Sequence, residues 1–478
     1  MAHFELPATG PAALPPSAGN VFRNRSFVAL WSAQLLSQLG SNMVLAALMG
    51  TVVAITGSNT ANAVLILTFL VPAVAFSAIA GVLVERSDAR LIMLAANVLR
   101  AVGVIGFIFV GTNVLLILVI NLFIATVTAF FAPAELTAIP RLVERRSFMA
   151  ANSVFVVTVN ATFAVGFGFL GPLLLTTTGP TAVYIVVAAM FGLAALVIIP
   201  LPPVPPEARR ATTDAKQAFR AVYDQIREGL AFVEEHRQIA WSLGYLGIAA
   251  SLIGVMGAIG PGFATDILRL SPKDFFFIMG PAGLGAVIGI LFLNAYAKRA
   301  PRRLIIDIGL VAMGITLIGL AVVKPITSFL APAVHPLEQS LPNALAPILS
   351  LLAVVVVIAV TAGIEYAFVA IPSQTALQEE LPTEVRGRIF GILNTLLSVA
   401  SFLPVIAAPA AADLLNIAIP GVGIPVVMGF LGLVTLGAGI FSWRRNAAAG
   451  LHRAEGGIPR STPDVPEAAG DPALMDGD

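Results

Sequence analysis

Apolar residues fill this chain in twelve long runs, and charged residues collect in the connections between them. A run of roughly 20 apolar residues crosses a hydrocarbon core about 30 Å thick. The pattern therefore predicts membrane spans near Phe27–Ile55, Ala63–Val84, Leu91–Val110, Val114–Phe131, Ala151–Leu175, Ala182–Pro200, Ile239–Phe263, Phe275–Ala297, Leu304–Val323, Leu345–Ile371, Ile389–Ala412 and Ile419–Trp443. Each is read as a helix, because lipid offers no partner to an unpaired backbone group. The alternating ~10-residue segments of a membrane barrel are absent. The expected fold is all-α, integral to the membrane, with twelve helices.

Composition and charge sharpen this picture. Hydrophobic residues make up 58% of the chain and charged residues 11%, against about 25% charged in a soluble domain. Of 27 Lys and Arg, 23 fall in alternate connections or the tails. Only Arg269, Lys273 and Lys324 fall in the other set of connections, and Arg100 alone lies inside a span. Basic residues stay on the cytoplasmic side. Both termini are thus expected in the cytoplasm of a cell, with the protein multi-pass in its (inner) membrane. The net charge of +1 gives no reason to expect a nucleic-acid partner.

The organisation reads as six spans plus six. Residues 1–20 lack a basic stretch followed by an apolar core and read as a disordered cytoplasmic tail rather than a signal. Residues 21–201 form a first six-helix bundle. Residues 202–238 form a cytoplasmic linker that opens with Pro202, Pro203, Pro205 and Pro206. It then sets Ala218, Val222, Ile226, Leu230 and Val233 at helical spacing, as in an amphipathic surface helix. Residues 239–445 form the second bundle, and 446–478 a disordered tail.

The halves repeat. Pro133-Ala-Glu-Leu-Thr-Ala138 matches Pro372-Ser-Gln-Thr-Ala-Leu377 at an offset of 239, and Arg90-Leu-Ile92 matches Arg303-Leu-Ile305 at 213. A long connection from Lys324 to about Asn343 accounts for most of the difference. Duplicated halves of this kind are typical of transporters that rock about a central site.

Several chemistries are excluded. There is no cysteine, hence no disulfide or thiolate site. None of the four histidines lies in a span, so no His-based metal site is expected there. No Gly-Lys dipeptide occurs, so there is no P-loop. No nucleophile–base–metal constellation points to an enzyme, and no cofactor or metal is implied.

The connection after span 2 reads Gly81-Val-Leu-Val-Glu85-Arg86-Ser-Asp88-Ala-Arg90. It resembles the signature loop of the major facilitator superfamily, with Glu85 where that family usually has Asp. Glu384-Val-Arg386-Gly387-Arg388 before span 11, and Trp31 with Gln34 in span 1, resemble the branch of bacterial drug and siderophore exporters. The resemblance covers roughly residues 22–445. It implies the family's fold of two six-helix bundles. It also implies a conformational latch of Gly81, Glu85, Arg86, Asp88, Arg90, Arg386 and Arg388, whose charges join the halves. Gly166-Phe-Gly168-Phe-Leu-Gly171 fits a dinucleotide pattern but lies inside span 5 with no strand before it. Tight packing through small residues is the expected role, and the Gly-Pro…Gly-Gly motif of the family's antiporters is degraded here.

Polar residues inside spans complete the candidate site. Gln34, Gln38 and Asn42 form one stripe on span 1, and Asn394, Ser398 and Ser401 another on span 11. The resemblance puts span 1 on the central cavity. Glu365 lies near the middle of span 10, where a carboxylate costs about 2.5–3.5 kcal/mol on insertion scales. It is read as the proton-coupling residue. Its repeat counterpart Thr126 and its neighbour Tyr366 are counted with the cavity set. Arg100 is read as structural, snorkelling to the nearby face or paired with Glu135 or Glu144. The expected function is secondary active export of small amphipathic molecules, as in multidrug efflux, by proton antiport and alternating access. The partners are a small-molecule substrate, protons and the bilayer, and the protein acts as a monomer. The alternatives are uptake of a polar metabolite or lipid flipping on the same scaffold.

Overall fold

A computed structural model describes residues 18–144, 147–205, 224, 227, 230–271, 275–296, 300–325, 346–380 and 386–450. Most of the linker and the long connection after Lys324 lie outside them. A short 3-10 helix, Ala18–Arg23, precedes α1 (Arg25–Thr56), α2 (Asn59–Ala75), α3 (Ser77–Arg86), α4 (Ala89–Val110) and α5 (Val114–Leu142). Then come α6 (Phe148–Thr162), a π-helical segment Phe163–Leu170, α7 (Gly171–Thr178) and α8 (Pro180–Ile198). The second half holds α9 (Arg237–Asp266), α10 (Phe276–Tyr296), α11 (Arg302–Ala321), α12 (Ala346–Glu380), α13 (Arg386–Ala418) and α14 (Gly423–Ala448).

Among the described residues, ten helical stretches are long and apolar enough to cross a membrane, and Asn59–Ala75 and Ile278–Leu293 are shorter apolar helices. Large side chains such as Phe109, Leu115, Ile417 and Phe430 project outward. Such an apolar exterior suits lipid rather than water. Helices α1 to α8 pack among themselves, as do α9 to α14. Two buried apolar clusters fill the first half. One is built around Leu30, Met93, Phe131, Ala134 and Ile198, the other around Leu48, Val104, Ile124 and Phe191.

Several boundaries differ from expectation, and prolines inside helices account for part of the difference. Span 2 starts at Asn59, and the helix breaks at Phe76 just after Pro72. Span 4 runs past its expected end at Phe131 to Leu142, through Pro133 and Pro140, and span 10 continues through Pro372 to Glu380. A proline removes one backbone hydrogen bond, yet neighbouring helices tolerate the freed carbonyl. The last helix runs to Ala448, so Asn446 is not the start of a tail but a fully buried member of α14.

Span 5 carries the small residues expected to pack tightly, and they do. A Cβ on Gly171 would lie 2.9 Å from the Met43 Cα of α1, and one on Gly166 3.0 Å from the Leu39 carbonyl. The helix widens to π geometry through this stretch, where its backbone presses against α1.

Candidate functional site

Gln34, Gln38 and Asn42 lie along α1. Gln34 and Asn42 are buried, and neither Gln34 Oε1 nor Asn42 Nδ2 has a hydrogen-bond partner. Asn42 abuts Gly166 in the π segment, and Gln38 is half-buried. Trp31 donates its indole N–H to Thr158 Oγ1 at 2.8 Å, joining α1 to α6. Ser398 is half-buried on α13, while the side chain of Asn394 lies outside the described residues.

Glu365 is buried on α12. Its Oε1 accepts the Thr316 hydroxyl of α11 at 2.7 Å, while Oε2 is buried without a partner. The carboxyl therefore sits inside the second half, between α12 and α11. Tyr366 packs against a cluster of Tyr245, Ala249 and Leu252 on α9 with Leu310 and Met313 on α11. Thr126 donates its hydroxyl to the Leu122 carbonyl one turn back, at 2.7 Å. The two repeat counterparts thus have different surroundings.

The loop between α3 and α4 grips the start of the linker. Asp88 caps α4 by accepting the Arg90 N–H at 2.9 Å, and the same oxygen accepts the Val204 N–H at 3.0 Å. The Ala89 N–H donates to the Val204 carbonyl at 3.1 Å. The guanidinium of Arg90 donates to the Ile199 carbonyl, and that of Arg141 to the Pro205 carbonyl. At Gly81 a Cβ would meet nothing within 4 Å. The side chains of Glu85, Arg386 and Arg388 lie outside the described residues.

Arg100 does not snorkel. It is 1% exposed, with its guanidinium 4.5 Å from the Phe131 ring centre and 4.8 Å from that of Phe191. It donates to the Ala96 carbonyl and, at 2.9 Å, to Asn97 Oδ1. Glu135, on the neighbouring α5, is buried with Oε1 unpartnered. Arg100 thus lies between the two apolar clusters of the first half, directed into the bundle.

Two further polar clusters escaped the sequence reading. Asp307 on α11 accepts Ser442 Oγ at 2.5 Å and Asn446 Nδ2 at 2.9 Å, both from α14. The Tyr245 hydroxyl lies 2.7 Å from Ser442 Oγ. Arg445 donates to Tyr245 and stands 3.4 Å from the Trp241 ring centre. Asp413 on α13 reaches across to the other half, to the start of α2. The polar residues on α14 four apart, Ser442 and Asn446, were a signal for the first cluster. Nothing in the sequence links Asp413 to residues some 350 positions away.

Comparison with known proteins agrees with this architecture. The family profile of the Major Facilitator Superfamily matches residues 30–405. The chain is 23% identical over 427 residues to the uncharacterized MFS-type transporter YfiS of Bacillus subtilis, covering 87% of this chain and 94% of that protein. It is likewise 23% identical to the multidrug efflux pump Tap of Mycolicibacterium fortuitum, covering 84% of this chain and 93% of the pump. Among solved structures, the nucleoside transporter NupG superposes with a TM-score of 0.63 at 12% identity, over 88% of this chain and 99% of NupG.

Proposed function

This chain belongs to the Major Facilitator Superfamily, and from that premise we propose that it exports small amphipathic molecules by proton antiport with alternating access. It is a multi-pass membrane transporter of small molecules and not an enzyme. Export is supported by the likeness to an efflux pump along most of both chains. The proton half of the reading rests on one observation, the buried carboxyl of Glu365. One of its oxygens is held by Thr316 and the other has no partner. A group so placed can take up and give back a proton without losing a charged neighbour, and its state can bias which way the halves open.

In this reading Gln34, Gln38 and Asn42, with Thr126, Tyr366, Asn394 and Ser398, contribute the cavity's polar groups. Its walls are otherwise apolar, which suits a lipophilic substrate. Gly81, Glu85, Arg86, Asp88, Arg90, Arg386 and Arg388 govern alternation rather than substrate choice. The termini lie in the cytoplasm, the chain is in the cell membrane, and it works as a monomer of two six-helix bundles joined by the 202–238 linker. Growth of a pump-deficient host carrying this chain, scored on a panel of toxic compounds, tests the direction. Protection is expected against lipophilic members of the panel. Increased sensitivity, or no effect on any compound, would overturn export.

A further inference from the structure

We infer that Asp413 and the Ser58–Asn62 segment form a gate that holds the two halves together at the face opposite the chain termini, and that this clasp must break for that face to open. The inference rests on family membership and on alternating access, and not on the substrate, direction or ion proposed above.

The start of a helix leaves its first backbone N–H groups without partners inside the helix. In α2 these groups belong to Asn59, Thr60 and Ala61. Ala61 is capped locally, by Ser58 Oγ at 3.1 Å. The other two are capped from the opposite half. Asp413 Oδ1 accepts the Asn59 N–H at 3.2 Å and its side-chain amide at 2.8 Å. Asp413 Oδ2 accepts the Thr60 N–H at 2.8 Å, the Thr60 hydroxyl at 2.7 Å and the Ser58 hydroxyl at 2.8 Å. One carboxylate thus takes five hydrogen bonds from three consecutive residues of the other half. Charge-assisted bonds of this kind are the stronger class, and the positive end of a helix favours the anion.

A second contact lies one turn further along α2. Pro261 sits inside α9 and has no N–H to offer the Gly257 carbonyl four residues back. Asn62, fully buried, donates its amide to Gly257 at 3.2 Å and to Ala258 at 2.8 Å. Gly262 completes the fit, for a Cβ there would lie 2.0 Å from Asn59 Oδ1. The start of α2 is therefore shaped to both α13 and α9 of the other half. Met49 of α1 closes behind it, 3.2 Å from where a Gly257 Cβ would stand.

At the other face, the loop between α3 and α4 is tied within its own half. There, Asp88 and Arg90 bond to residues 199–204 of their own half and the linker start. Rigid halves that rock about a central site cannot keep both faces joined, so breaking the far clasp should shift the balance toward a far-side-open state.

The protein has no cysteine, which permits clean spin labelling. Thr178 and Ile417 are exposed at the ends of α7 and α13 on this face, one in each half. Labels on Thr178→Cys and Ile417→Cys in the purified full chain should give one dominant distance by double electron–electron resonance. Adding Asp413→Ala should create a longer-distance population. The closed-to-open ratio should fall at least about tenfold, the effect of losing a single charge-assisted hydrogen bond net of solvation, since the substitution removes all five. Should Asp413→Ala not yield monodisperse protein, Asn62→Ala and Thr60→Val attack the clasp from the opposite half, and the same longer population is expected. An unchanged distance distribution in the variants that fold would overturn the gate. The readout needs no substrate or gradient, so failed export leaves it intact.

Discussion

Arg100 gives the clearest test at the scale of one side chain. It lies buried between two phenyl rings, bonded to Asn97 and the Ala96 carbonyl, with Glu135, a partner the sequence offers, buried on α5. Stranding one member of a buried pair costs about 3–5 kcal/mol. Arg100→Met should therefore lower the thermal unfolding midpoint of the purified protein by several degrees. Combining it with Glu135→Gln should recover much of the loss. A double variant no more stable than the single one would show that the two charges are uncoupled. The sequence marked both Arg100 and Glu365 as costly residues in apolar runs, and both are buried. It left Arg100 between snorkelling and pairing with Glu135 or Glu144, because distance along a helix gives depth but not direction. Whether a long side chain turns toward water or into the bundle depends on Phe131 and Phe191, which come from other helices. Glu365 was legible as a mid-helix acid. Its partner Thr316 was not, since a threonine in an apolar helix ordinarily bonds its own backbone.

At the scale of elements, hydrophobic runs located the ten described helices long and apolar enough to cross a membrane and the two shorter apolar ones, because a run long enough to span lipid has few other uses. Ends were less legible. Pro72, Pro133, Pro140 and Pro372 would stop helices in water, yet all four lie inside helices here. The glycines of span 5 were read as packing residues, and Gly171 shows why: its neighbour is backbone, which cannot step aside. Gly171→Leu should cost about 1–3 kcal/mol or more by overpacking, seen as a lower unfolding midpoint and yield. A variant as stable as the parent would mean that α1 and α7 do not meet so closely. The grip of the α3–α4 loop on the linker makes a different prediction. Val204→Pro removes the N–H that Asp88 accepts while retaining the neighbouring polyproline character. It should slow transport of every substrate by a similar factor. A changed order of substrate preference would place the loop's influence at the binding site instead.

At the scale of the whole molecule, the two halves of the chain meet where α2 packs on α9 and α13 and where the π-helical segment packs on α10, in a family of small-molecule transporters. Orientation rests on the 23-to-3 bias of basic residues. Reporters fused at Gly450 and His335 should give opposite signals, and equal signals would contradict the topology. The duplicated halves were visible as short matches at two offsets. The clasp between them was not, because contacts across some 350 residues leave no local pattern. In the proposed function a proton gradient drives export through Glu365. This is tested most directly in proteoliposomes with an imposed pH difference, comparing the parent with Glu365→Gln for a compound that the growth panel identifies. The parent should accumulate the compound against its gradient, on the side from which protons leave. Glu365→Gln should lose that accumulation while retaining downhill exchange. A variant that still drives uphill transport with the parent's pH dependence would show that Glu365 does not couple transport to protons.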